Sequence, residues 1–192
     1  MFHRAASFVF LTGVQFSLMG ACTPTQGVSS APPGSTESDG GAAKQESVPP
    51  LPDFELATLD GGRVALSDHV GKEVILIDFW ATYCAPCILA MPHLNRVYEK
   101  YKNQGFVILG VSVDGPESQG RVRSAVKKMR VTFPILLDEE TEALALYNPN
   151  SSAPYSVLID RHGRIIKRKE GLDIASMEAF EQEIVEAIES QD

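Results

Sequence analysis

The sequence predicts an α/β domain with a central sheet covered by helices on both faces, and three stretches carry that prediction. Val74 to Phe79 is an apolar, β-branched run broken only by Asp78, the pattern of a strand buried on both sides. Phe106 to Val113 is a second buried run. Near the end, Ser176 to Ile188 places Met177, Phe180, Ile184 and Ile188 on one face of a helix that suits a sheet surface.

The elements follow in chain order. Residues 1–21 read as an export signal: Arg4 gives a short basic start, and Ala5 to Leu18 is mostly apolar but too short to span a bilayer comfortably. Met19-Gly20-Ala21-Cys22 resembles a bacterial lipobox, which implies that Cys22 is lipidated and becomes the mature N-terminus. The alternative is an ordinary signal peptide with an incidental cysteine. Residues 22–47 form a Ser-, Gly- and Pro-rich stretch with almost no large apolar side chains, so a disordered tether is expected. Residues 48–192 have a suitable length for one domain with a full core.

The domain opens with Pro52-Asp53-Phe54-Glu55-Leu56 and Val64-Ala65-Leu66 around Asp60-Gly61-Gly62, the chemistry of a β-hairpin turn. After the strand at Val74 comes Trp80-Ala81-Thr82-Tyr83-Cys84-Ala85-Pro86-Cys87. Pro86 suits the first turn of a helix, which puts Cys84 at the helix N-terminus and Cys87 one turn further in. There the free N–H groups and partial positive charge stabilise a thiolate, so Cys84 is the expected attacking sulfur. Cys87 lies three residues on, along the same face, and can displace whatever is bonded to Cys84. Leu94, Val97, Tyr98 and Tyr101 continue the helix as a core-facing stripe, and Gly105 ends it.

A further helix, from about Glu117 to Met129, directs Val122, Val126 and Met129 inward and leaves Arg121, Arg123, Lys127, Lys128 and Arg130 outside. Phe133 to Asp138 reads as a short strand, and Glu140 to Leu146 is helix-like. Arg161-His162-Gly163-Arg164 turns between strands at Val157–Asp160 and Ile165–Lys169. The chain has a formal net charge of −8 and no basic run interleaved with aromatics, so no nucleic-acid partner is expected.

The Trp-Ala-x-x-Cys-x-x-Cys pattern at Trp80–Cys87, with Pro92 five residues later, resembles the thioredoxin superfamily. Pro-Asp-Phe-x-Leu, Asp-Gly, Leu-Ser-Asp and Gly-Lys in that order are similar to the opening hairpin of its TlpA/ResA branch. Tyr83 departs from the tryptophan usual beside the first cysteine. The resemblance implies a three-layer thioredoxin-like fold with a central mixed sheet, an N-terminal β-hairpin and an inserted helix in the Glu117–Met129 region. It also implies a cis proline at Pro154, against the base rate for X–Pro bonds.

On the same footing, Cys84 and Cys87 are catalytic, while Trp80, Tyr83, Ala153 and Pro154 contact substrate. Burial of Asp78 penalises its charged form and raises its pKa, which fits a proton relay to Cys87. Many TlpA-like proteins carry Asn there, and a merely structural, hydrogen-bonded carboxylate is the alternative reading. The branch consists of membrane-tethered, extracytoplasmic thiol-disulfide oxidoreductases. Its members imply protein disulfide substrates such as apocytochromes c or copper-site proteins, an electron donor of the DsbD or CcdA kind, and a bacterial envelope location. No cofactor or metal is implied.

Other readings of the cysteine pair are weaker. Haem attachment requires His directly after the second cysteine, where Ile88 stands. Structural zinc needs about four ligands, and His93 does not complete a set. A redoxin peroxidase would have Pro and Thr where Ile77 and Ala81 occur. A lipid-anchored copper chaperone would need a distal histidine, for which His162 is the best available. A disulfide-introducing oxidase is the remaining alternative. A purely structural cross-link across so short a loop gains little.

Overall fold

The computed structural model describes residues 50–171 and 174–190. The expected signal, the Cys22 lipidation site and the whole of the tether lie outside the described residues.

Seven strands form one mixed sheet in the order β2-β1-β5-β4-β3-β6-β7, comprising β1 (Glu55–Thr58), β2 (Arg63–Ala65), β3 (Val74–Trp80), β4 (Phe106–Ser112), β5 (Ile135–Leu137), β6 (Tyr155–Ile159) and β7 (Ile165–Glu170). β3 pairs parallel with β4, and β4 with β5. β6 runs antiparallel to β3, and β7 to β6. The opening hairpin of β1 and β2 joins this sheet through β1, antiparallel to β5.

Helix α1 (Ala85–Tyr101) connects β3 to β4, α2 (Gln119–Met129) connects β4 to β5, α3 (Glu142–Tyr147) precedes β6, and α4 (Met177–Glu189) follows β7. Every residue of β3 and β4 is buried, as continuous apolar strands require when both faces are covered. On one face, Val74, Leu76 and Trp80 pack with Leu94 and Met91 of α1, Val122 of α2, and Met177, Phe180, Ile184 and Ile188 of α4. On the other, Ile75, Ile77 and Phe79 pack with Phe54, Leu66 and the α3 residues Ala143, Leu144 and Tyr147. The predicted layered fold, with helices on both faces, is therefore the one observed.

Local chemistry sets the boundaries. α1 runs on through Pro92, an exposed position, at the loss of the one backbone hydrogen bond that a residue there would donate to the Ile88 carbonyl. Gly105 closes the segment at φ 76°, a conformation that costs glycine nothing. α2 starts at Gln119 rather than Glu117, because Pro116–Ser118 forms a 3₁₀ turn first. α3 starts at Glu142 because the buried Asp138 carboxylate accepts hydrogen bonds from the N–H groups of Ala143 and Leu144, fixing where the helix begins. The expected outward face of α2 is present, with Arg121, Arg123, Lys127, Lys128 and Arg130 all exposed, and one of them makes a contact the sequence does not display. Arg123 folds back so that its guanidinium donates to the Leu59 carbonyl at 2.7 Å. Among the described residues no helix is long and apolar enough to cross a membrane.

Candidate active site

β3 ends at Trp80, and the chain turns through Ala81-Thr82-Tyr83 into the N-terminus of α1. Cys84 is the N-cap residue, with extended backbone and its amide donating to the Ala81 carbonyl at 3.1 Å. Cys87, in the first turn, donates its backbone N–H to Cys84 Sγ at 3.3 Å. This donor belongs to the set a helix leaves unpaired at its start, and it favours negative charge on the sulfur it faces. The two cysteines form a disulfide with Cα atoms 5.3 Å apart. Cys84 keeps 8% of its surface exposed and Cys87 3%, so Cys84 is the sulfur an incoming disulfide meets.

The turn is braced from β4. Asp114, buried just past the end of that strand, accepts hydrogen bonds from the Thr82 N–H at 2.8 Å, the Thr82 hydroxyl, and the Ser112 hydroxyl at 2.9 Å. Val113 N–H donates to the Trp80 carbonyl at 2.9 Å. The sequence marks Ser112-Val113-Asp114 as a strand end, but not as the anchor of the cysteine loop. The 32-residue separation of Thr82 from Asp114 hides that contact.

Alternation along β3 sends Asp78 to the same face as Leu76 and Trp80, the face on which Cys84 and Cys87 pack with α1. Asp78 sits opposite Gly110 on β4 and Ser156 on β6. A Cβ at Gly110 would lie 2.7 Å from the Phe133 ring, so glycine lets that ring close over the sheet there. Burial pushes the Asp78 carboxyl up from an ordinary 3.8 to about 6, and the Ser156 hydroxyl, donating to Asp78 Oδ1 at 2.8 Å, partly opposes the shift. Ser156 is a site residue that the sequence reading missed. The register of an antiparallel pair formed between residues 78 apart is its only signal.

Removing this hydroxyl takes away the hydrogen bond that, among the described residues, stabilises the ionised carboxylate. Ser156→Ala is therefore expected to move the Asp78 pKa above about 6, followed by carboxyl-carbon NMR titration, and to cost about 1–3 kcal/mol at neutral pH, where a buried charge is left unpaired. An unchanged titration would remove Ser156 from the site.

The Ala153–Pro154 peptide is cis, as expected. β6 begins at Tyr155, which pairs with Phe79, so Pro154 lies at the same end of the sheet as the cysteine turn, and Ala153 packs against the core cluster that contains both cysteines. Asn148, fully buried, holds this approach by donating its side-chain amide to the Ser152 carbonyl at 2.6 Å.

Tyr83 is 76% exposed, beside the disulfide, and is available for substrate contact. Trp80 is corrected. It is 0% exposed, because alternation points it under α1 into the core, so it supports the turn from below and presents nothing to a substrate. The distal histidine of the copper alternative is corrected as well. Ile159 pairs with Ile75 at the start of β3, so the turn holding His162 lies at the opposite end of the sheet from Cys84. Among the described residues no group of three or more His, Cys, Asp or Glu side chains is placed to hold a metal ion.

The family profile described as "AhpC/TSA family" matches residues 49–168. The thiol-disulfide oxidoreductase ResA of Bacillus cereus is 35% identical over 117 residues, covering 61% of this chain and 65% of the relative. ResA of Geobacillus kaustophilus is 40% identical over 114 residues, covering 59% and 63%. This chain thus spans just under two thirds of the length of both relatives. A crystal structure from Chlorobium tepidum, of a candidate thiol:disulfide interchange protein DsbE, superposes with a TM-score of 0.67 at 34% identity, covering 72% of this chain and 95% of that one. The matched span contains the cysteine turn, the Asp78–Ser156 pair and the cis proline, and the chain belongs to the AhpC/TSA family, with the thioredoxin-like fold of its ResA-type members.

Proposed function

We propose that this protein is a thiol-disulfide oxidoreductase that reduces disulfides of exported proteins while tethered to a bacterial membrane through lipid on Cys22. The observation that carries the chemistry is the Cys84–Cys87 disulfide at the N-terminus of α1, with Cys87 N–H directed at Cys84 Sγ. The ResA relatives and the DsbE-like structure support the same reaction class. Family membership does not bring peroxidase chemistry with it, since Ile77 and Ala81 occupy the positions where a redoxin peroxidase carries Pro and Thr.

In the reduced protein, Cys84 thiolate attacks one sulfur of the substrate disulfide. That S–S bond breaks, a mixed disulfide forms, and the departing substrate sulfur takes up a proton. Cys87 then gives its proton to the Asp78 carboxylate and attacks Cys84 Sγ, expelling the second substrate sulfur as a thiolate that takes up a proton from solvent and leaving Cys84–Cys87 oxidised. Two electrons pass to the substrate. A membrane dithiol donor of the DsbD or CcdA kind restores the pair, and no dissociable cofactor takes part. Tyr83, Ala153 and Pro154 form the surface on which the substrate sulfur is aligned.

Location on the extracytoplasmic side, with residues 22–47 as a tether that gives the domain reach, rests on the lipobox-like Met19–Cys22 and the composition that follows it. Apocytochromes c and copper-site proteins are the substrates this reading favours. The reduction potential of the full-length protein, equilibrated against thiol buffers, tests the direction. A value near about −270 mV is expected of a donor-dependent reductant, whereas a value near about −120 mV would make it an oxidant that introduces disulfides.

A further inference from the structure

An open groove runs beside the disulfide, lined by Thr82 and Tyr83 on one side and by Gly120, Arg121 and Ser124 of α2 on the other. Arg121, Ser124 and Lys128 recur at helical spacing on the same α2 face, so a basic stripe that takes in Lys127 continues along the helix beyond the groove lining. Residues 119–130 hold Arg121, Arg123, Lys127, Lys128 and Arg130 with no Asp or Glu, in a chain of net charge −8. Arg121 donates to the Ser118 hydroxyl, which itself donates to Glu117 at 3.1 Å. Among the described residues, Lys127, Lys128 and Arg130 meet no carboxylate in an ion pair.

The seven steps from Arg121 to Lys128 rise about 10 Å along the helix, the span of about three residues of extended chain. Resting on the redox function proposed above, we infer that this groove seats an extended, acidic segment of the substrate polypeptide adjoining its target cysteine. Arg121 and Lys128 meet carboxylates spaced about three residues apart, and Tyr83 packs against the segment between them. Arg121 is thereby a specificity-determining residue, and the proton and electron steps at Cys84 and Cys87 are left as they are.

The test compares two disulfide-linked peptides that differ only beside one cysteine, Glu-Gly-Ser-Glu against Lys-Gly-Ser-Lys, with neutral hydroxyethyl disulfide as a substrate too small to reach α2. The reduced full-length protein is expected to turn over the Glu peptide about tenfold faster in kcat/KM at low salt, with most of the difference lost at 0.5 M NaCl. The R121E/K128E variant inverts the order and leaves hydroxyethyl disulfide unchanged. A Cβ at Gly120 meets nothing within 4 Å, so Gly120→Phe is expected to obstruct the groove and to raise KM for both peptides alone.

Equal rates for the two peptides, with hydroxyethyl disulfide still reduced, would overturn this inference and leave the redox function standing. Equal peptide rates together with binding to phosphatidylglycerol vesicles that R121E/K128E abolishes would assign the stripe to lipid and also overturn it. Failure with hydroxyethyl disulfide as well would overturn the redox function and this inference together.

Discussion

Cys84→Ser is expected to reduce disulfide turnover to the uncatalysed background, a loss of at least about a thousandfold, whereas Cys87→Ser retains a single attack and stops at the mixed disulfide. The asymmetry follows from position. Cys84 is the more exposed sulfur and faces the helix N–H groups, while Cys87 lies deeper, on the same core face as Asp78. Without Cys87 nothing resolves the adduct, so it accumulates. Non-reducing electrophoresis and mass spectrometry, with a disulfide-bonded protein such as insulin as substrate, read both outcomes. A stable adduct on Cys84→Ser, with none on Cys87→Ser, would reverse the assignment of roles.

Asp78→Asn is expected to make the protein more stable and slower. Because the folded state raises the Asp78 pKa from 3.8 to about 6, folding binds this proton more tightly than the unfolded chain does. Below the unfolded value both states are protonated and nothing is lost. Between that value and about 6 the unfolded chain ionises first, so stability falls as pH rises, and above about 6 the loss is complete. A displacement of about two pH units corresponds to about 3 kcal/mol. Asn carries no such proton and keeps an acceptor oxygen for the Ser156 hydroxyl.

Urea titrations of the oxidised proteins are therefore expected to agree near pH 4 and to differ by up to about 3 kcal/mol at pH 8, with the variant the more stable. Loss of the proton acceptor slows resolution of the mixed disulfide by about a hundredfold. A stability difference independent of pH would show that desolvation of the Asp78 charge is not its origin.

Local signals made much of this site legible. The three-residue spacing of Cys84 and Cys87, with Pro86 between them, is a property of one helical turn, and the two positions came out as the spacing implied. The buried strands and the inward stripe of α4 are likewise periodicities that a linear chain displays. Pro154 was legible only through the resemblance, since no local property sets one X–Pro bond apart from another. What escaped were pairings between distant segments: Ser156 with Asp78, Asp114 with Thr82, and Arg123 with the Leu59 carbonyl. Trp80 was misplaced for a related reason. The resemblance implied a substrate contact there, but the pleat of β3 turns the side chain into the core.

Among the described residues, β2 and β7 form the edges of the sheet, and their character bears on the proposed handling of polypeptide substrates. β2 is three residues long and carries Arg63, tied to Glu55. β7 presents Lys167, Arg168, Lys169 and Glu170, and its pairing with β6 slips at Leu158/Ile159. Short, charged and irregular edges make poor templates for strand addition. Under the proposed function, an extended client held at Cys84 meets among the described residues no edge suited to strand addition, which favours release over co-aggregation.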